Sequence, residues 1–402
     1  MGKENISKML REALGVPNNI LKLGRDVYTR FLDNLESELP NSGDDFSEYR
    51  DYFYLNGDFV ISDYNFKRIE ITVEIFNADI KETAVLASMN YKPNITVNKD
   101  ILRLVKSDDF NSDKVNLGVT IAVKPNTTKT DLIQAIINNE KEYISSFTHE
   151  LKHAYDNYKK KTNSLIGGNE YRAIASSNYR IPTVDKFFHY SYFIHNIENL
   201  VRPSEVASEI EHGNITKKGF INFLASNSTY NKLKEINKMT LSSMLSDLNN
   251  EKEEMIKILQ LSKMPVPNDD ELVETTLNLL FLNLRYQKID ILSKTLLNLP
   301  YELVGLFGNS KSKEYKFLMR YKKSLEKFDN YKDFFNYEFE KFKNISEEMM
   351  KKISKLYAMA KDDEKVANIL TKINSKNTNE SIKDWDLYHE IKTKQTIFKD
   401  LK

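Results

Sequence analysis

Residues 115–123 read Val-Asn-Leu-Gly-Val-Thr-Ile-Ala-Val, apolar at every odd position and small or polar between. Side chains of an extended chain alternate sides, so this stretch is committed to a strand with one core face and one open face, ended by Lys124-Pro125-Asn126. Such a strand needs sheet partners. Ile69, Ile71, Val73 and Ile75, alternating with Glu70, Thr72 and Glu74, supply one, and the run from Thr83 to Met89 supplies another. Beyond residue 216 no strand pattern recurs, which confines the sheet to the first half of the chain.

Helical spacing takes over elsewhere. Thr128 to Asp131 offer N-cap residues, and Leu132, Ile133, Ile136 and Ile137 follow three or four apart. From 216 onward amphipathic helices are interrupted at Met264-Pro265-Val266-Pro267-Asn268, at Pro300 and at Gly308-Asn309. The densest apolar run, Leu277 to Leu284, is far shorter than the ~20 residues a bilayer requires and reads as a buried helix. Leu318, Tyr321, Leu325 and Phe328, then Phe335, Phe339 and Phe342, carry the spacing of a core stripe with solvated lysines between. The expected architecture is α+β: an N-terminal extension over 1–57, a domain with a small twisted sheet and one chemically distinctive helix over 58–215, and a mainly α-helical domain over 216–402.

Composition narrows the chemistry. Lys and Arg number 59 against 58 Asp and Glu, so no global field draws the chain to nucleic acid or anionic lipid. With no cysteine in 402 residues, disulfides, thiolate metal sites and cysteine nucleophiles are all excluded. Any metal must be held by His and carboxylates. The N-terminus, Met1-Gly2-Lys3-Glu4-Asn5-Ile6, reads as carrying no targeting signal, which leads to the expectation of a cytoplasmic protein without membrane association.

The distinctive helix carries His149-Glu150-Leu151-Lys152-His153. Residues four apart on a helix lie one turn above each other, so both imidazoles can address one ion from a rigid frame. At ~100° per residue, Ile144, Phe147, Leu151, Ala154, Tyr155 and Tyr158 gather on one side, while His149 and His153 fall on roughly the opposite side with Glu150 beside them. A helix packed by one face and lining a cleft with the other is the expected setting. Zinc accepts two neutral imidazoles plus a carboxylate and keeps a position for water, and Glu150 is placed to take that water's proton.

This motif resembles that of zincin metallopeptidases. The metzincin continuation requires Gly at 156 and His at 159, where this chain has Asp156 and Lys159, and peptide deformylase requires a cysteine ligand. The gluzincin pattern remains, in which a Glu on a later helix completes the site. Downstream, Asn199-Leu200-Val201-Arg202-Pro203-Ser204-Glu205-Val206-Ala207-Ser208-Glu209 resembles the second gluzincin motif, with Pro203 read in the first turn of a helix. The resemblance implies Glu205 as zinc ligand and Glu209 as the residue that orients a zinc histidine, with Ala207 letting the two helices approach. The chain departs from the family in holding Ser204 and Glu209 where Asn and Asp are common, and Glu198 and Glu170 compete for the ligand position. His189, His195 and Tyr192 lie between the motifs, where a gluzincin supplies a donor to the oxyanion of the attacked carbonyl.

The resemblance therefore implies a zinc-dependent endopeptidase acting on a peptide or protein substrate, with Glu150 as general base. An extended substrate is expected to pair with an exposed edge of the strand at 115–123. The alternative is a structural or assembly protein, of virion type, that keeps a zinc-bearing zincin fold without turnover and uses its helical C-terminal domain to bind an assembly partner. Lys/Asn/Ile-rich, Gly-poor usage and a long helical tail behind HExxH resemble bacteriophage gene products.

Overall fold

A computed structural model describes residues 14–40, 46, 49–78, 85–91, 95–98, 103–106, 113–160, 181–286, 319 and 322–360. In chain order these form helix α1 (Ile20–Glu38), strands β1 (Tyr49–Ile61), β2 (Tyr64–Asn77), β3 (Val85–Tyr91), β4 (Ile95–Asn98), β5 (Arg103–Lys106) and β6 (Lys114–Val123), and helices α2 (Lys129–Asn138) and α3 (Glu140–Lys160). The chain continues as α4 (Pro182–Phe193), α5 (Asn196–His212), α6 (Phe220–Ser226), α7 (Ser228–Lys238), α8 (Leu241–Leu248), α9 (Lys252–Leu261), α10 (Asp269–Tyr286) and α11 (Tyr331–Lys355). It is a mixed α and β architecture, and no described helix is long and apolar enough to cross a membrane.

The four-stranded sheet runs β1-β2-β6-β3, with β1 and β3 antiparallel to their neighbours and β2 parallel to β6; β4 and β5 form a separate antiparallel pair. Alternation sets the register. Ile69, Ile71, Val73 and Ile75 stand opposite Val115, Leu117, Val119 and Ile121, so both strands turn their apolar sides to the same face. All eight are buried, each worth about 1.5–3 kcal/mol relative to exposure. The expected free edge on the strand at 115–123 is not there: β6 is bonded on both sides, by β2 and β3. Gly118 and Ala122, between its large apolar residues, were the sign of an interior position, where neither face is fully solvated.

The segment expected to be an extension contributes to the core. α1 lies against α3, with the Phe31 ring 5.4 Å from Phe147 and 6.1 Å from Phe53 of β1. Contact is closest at Gly24, where a Cβ would stand 2.1 Å from Thr148 Oγ1 and 3.2 Å from the Ile144 carbonyl oxygen. The 57/58 boundary falls inside β1.

The later helices join the same core. Phe187 of α4 sits among Phe335, Phe339 and Phe342 of α11 at ring separations of 5.1, 5.8 and 5.4 Å. Asn237 of α7 donates to Ser346 Oγ of α11 at 3.2 Å. The phenylalanine stripe read from the sequence is therefore an internal packing surface. α10 buries Leu277, Leu279, Leu280, Phe281 and Leu284, as the apolar run there leads one to expect.

Candidate metal centre

The sequence forces α3 to divide its faces. Ile144, Phe147, Leu151, Ala154 and Tyr155 are buried against α1 and the sheet, which leaves His149, Glu150 and His153 directed elsewhere. They do not line an open cleft. His149 is 7% exposed, Glu150 4% and His153 5%, and Glu198 and Glu205 of α5 lie against the imidazoles. Small residues allow that approach: Thr148 Oγ1 is 3.2 Å from Ser208 Oγ, and Ser145 Oγ donates to the Glu205 carbonyl at 3.1 Å. Ala207 is fully buried, consistent with its expected part in letting the helices come together.

α5 begins at Asn196, so Pro203 lies in its interior and not in its first turn. An interior proline forfeits one backbone bond and costs about 3 kcal/mol in an isolated helix, a cost the packing of α5 overcomes here. Extending the helix to residue 196 changes the site. Glu198, Arg202, Glu205 and Glu209 now recur four, three and four residues apart, so all four share one face.

Glu198, not Glu205, meets the two Nε2 atoms. His149 Nε2 is 3.3 Å from Glu198 Oε2, His153 Nε2 is 3.4 Å from Glu198 Oε1, and the two Nε2 atoms are 3.1 Å apart. Among the described residues, His149, His153 and Glu198 form a group able to hold a metal ion. The donors suit one. Bonds of about 2.0–2.1 Å at tetrahedral angles would place ligand atoms about 3.3 Å apart. Two imidazole lone pairs at this separation also need a proton or a cation between them.

Glu205 takes the position on the far side of the imidazole, its Oε2 3.2 Å from His149 Nδ1. With a metal ion on the Nε2 side, an Nδ1–H would donate to Glu205 from here and leave the Nε2 lone pair for the ion. Glu209, expected to orient a histidine, instead accepts from Asn227 Nδ2 at 2.8 Å. Tyr192 donates to Glu198 Oε1 at 2.7 Å. His189 packs its ring 6.5 Å from Phe193, and His195 is the N-cap residue of α5, with no side-chain hydrogen bond to that helix end. Of the residues expected to donate to an oxyanion, Tyr192 thus reaches a member of the group. Glu170 lies outside the described residues.

Arg202 was not anticipated. Its Nη1 donates to Glu205 Oε2 at 2.7 Å and its Nη2 to Glu198 Oε2 at 3.1 Å, with the guanidinium carbon 4.3 Å from the centre of the Phe193 ring. The signal was a helical stripe of alternating charge, visible only once α5 is known to start at 196.

The charges respond to this enclosure. Burial favours the neutral acid of Glu205, but Arg202 and the bond to His149 outweigh it and lower its pKa to about 2. Glu198 is likewise held well below the usual carboxylate range by both histidines and Arg202, against its burial. Burial and Arg202 push His149 down, yet its bonds to Glu198 and Glu205 prevail and raise it to about 9 in the metal-free chain. Glu209 is raised to about 7 by burial and by the nearby Glu205 charge, against the bond from Asn227. His189 is lowered by burial and by Lys232 and Arg202.

Compared with protein-family models, curated proteins and solved structures, the chain matches none of them.

Proposed function

We propose that this chain is a zinc-dependent peptidase of gluzincin type in which His149, His153 and Glu198 hold the metal and Glu150 is the general base. The observation that carries the reading is the convergence of two Nε2 atoms and one carboxylate at 3.1–3.4 Å, on a helix whose motif also supplies Glu150. A zinc ion held there would polarise a substrate carbonyl and lower the pKa of a bound water to about 7. Glu150, next in sequence to His149, would accept a proton as the peptide carbon is attacked and return it to the leaving amine. Tyr192, whose hydroxyl already reaches Glu198, is a candidate to donate to the oxyanion. An extended peptide would pair with an outer strand of the sheet as described, β1 or β3.

A second reading, a zinc-bearing structural or assembly protein without turnover, draws support from burial. Catalytic zinc sites keep a position open, whereas structural ones are closed, and His149, Glu150, His153 and Glu198 are all at most 7% exposed. Assembly through the helical C-terminal half would belong to that reading. The deciding experiment is metal analysis of the purified protein together with a peptide-library cleavage assay on wild type and Glu150→Gln. The peptidase reading expects about one zinc per chain in both and cleavage in wild type alone. Zinc without cleavage in either would favour the structural role, and no zinc would remove both.

A further inference from the structure

We infer that Arg202 is the positioning residue of this centre, assigning Glu198 to the Nε2 side of His149 and Glu205 to its Nδ1 side; the inference rests on the metal-centre reading above. The oxygens that Arg202 binds are the ones that face the imidazole. Glu205 Oε2, 2.7 Å from Nη1, is 3.2 Å from His149 Nδ1, and Glu198 Oε2, 3.1 Å from Nη2, is 3.3 Å from His149 Nε2. One planar cation thus fixes the partners at both ends of one ring.

The remaining oxygens are also assigned. Tyr192 donates to Glu198 Oε1 at 2.7 Å and Thr229 to Glu205 Oε1 at 3.3 Å, so each carboxylate is held through both oxygens and cannot rotate without losing a bond. Helical spacing places Arg202 four residues after Glu198 and three before Glu205, between two like charges on one face of α5. Phe193 supports the guanidinium from one side, and the side chain is 14% exposed, so water offers little replacement. An ammonium has the charge but not the rigid fork: it can approach one carboxylate or lie between them, but cannot direct two bonds along fixed, diverging lines.

Arg202→Lys tests geometry apart from charge. Cobalt(II) replaces zinc as the probe, with affinity from titration, coordination from its visible d–d absorption, and fold from circular dichroism and thermal unfolding. We expect Arg202→Lys to fold but to bind cobalt about 10–100-fold more weakly, with a changed d–d spectrum. Wild-type affinity together with a wild-type spectrum would overturn the role assigned to Arg202. Should Arg202→Lys fail to fold, the charge-balanced double variant Arg202→Met with Glu205→Gln takes its place. There, cobalt bound more weakly than by Glu205→Gln alone, with a further change in the spectrum, supports the inference, and binding equal to that of Glu205→Gln alone overturns it. If the wild-type chain takes up no cobalt, or His149→Ala with His153→Ala takes it up equally well, the metal-centre reading fails and the inference falls with it.

Discussion

At the scale of single residues, three carboxylates on one face of α5 have three different surroundings, and their substitutions should separate accordingly. Glu198→Gln removes the charged donor that faces both Nε2 atoms and should abolish tight zinc binding, whereas Glu205→Gln weakens it about 10–100-fold through His149. Because the Glu209 carboxylate is engaged by Asn227, Glu209→Gln should leave zinc affinity unchanged in competition with a fluorescent chelator. Glu209 should matter instead to stability. Its pKa rises from 4.5 to about 7 on folding, so the folded chain keeps a proton that the unfolded chain has released between those values. Stability from this group is complete below pH 4.5 and falls as pH rises towards 7. Glu209→Gln should therefore be more stable than wild type at pH 8 by on the order of 1–3 kcal/mol and nearly equal to it at pH 4.5, by urea unfolding. The pairing of His149 with His153 was legible from spacing alone, because an i, i+4 pair is a local property. The third donor was not, because choosing between Glu198 and Glu205 required the phase of a second helix relative to the first.

The elements show where local reading suffices. The alternation in β2 and β6 gave their positions and their buried face, since the period of a strand is written in adjacent residues, and the run read from Thr83 to Met89 overlaps β3. The order of strands is not so written, and the expected edge on β6 failed for that reason. The start of α5 was misplaced because Pro203 suits a first turn in general, while the burial of Val201, Val206 and Ile210 carries the helix through it here. Gly24 was likewise silent in the sequence, yet it fixes the distance between α1 and the helix carrying both histidines. Gly24→Ala should destabilise the fold by about 1–3 kcal/mol, because the new methyl would meet Thr148 Oγ1 at 2.1 Å. Combining it with Thr148→Ala should recover part of that loss in a denaturant-unfolding cycle, since the Ile144 carbonyl at 3.2 Å would still crowd the site. Full additivity of the two substitutions would show that the helices do not meet there.

Across the described residues, nearly all buried apolar side chains form one connected cluster running from α1 through the sheet and α3 to α11. Nothing in sequence texture reveals such continuity: the change from strand to helix near residue 216 marks a change of element, not a gap in packing. Calorimetry should accordingly record one cooperative transition over the described core, and Phe187→Ala, which empties the centre of the α4–α11 aromatic cluster, should lower its midpoint as a whole. Two transitions, with only one displaced, would mean that the halves melt independently.

Sandwiching the imidazoles and Glu198 between α3 and α5 also governs time. An ion held there would have little direct access to water, since its donors are at most 7% exposed, and its release would be expected to follow the lifting of α5 from α3. Chelator would then act only on molecules that have already parted. The loss of zinc to an excess of chelator should proceed at a rate that stops rising once chelator is abundant, and that plateau should match the hydrogen-exchange opening rate of amides in α5. Gly24→Ala, by loosening the support behind α3, should quicken both together.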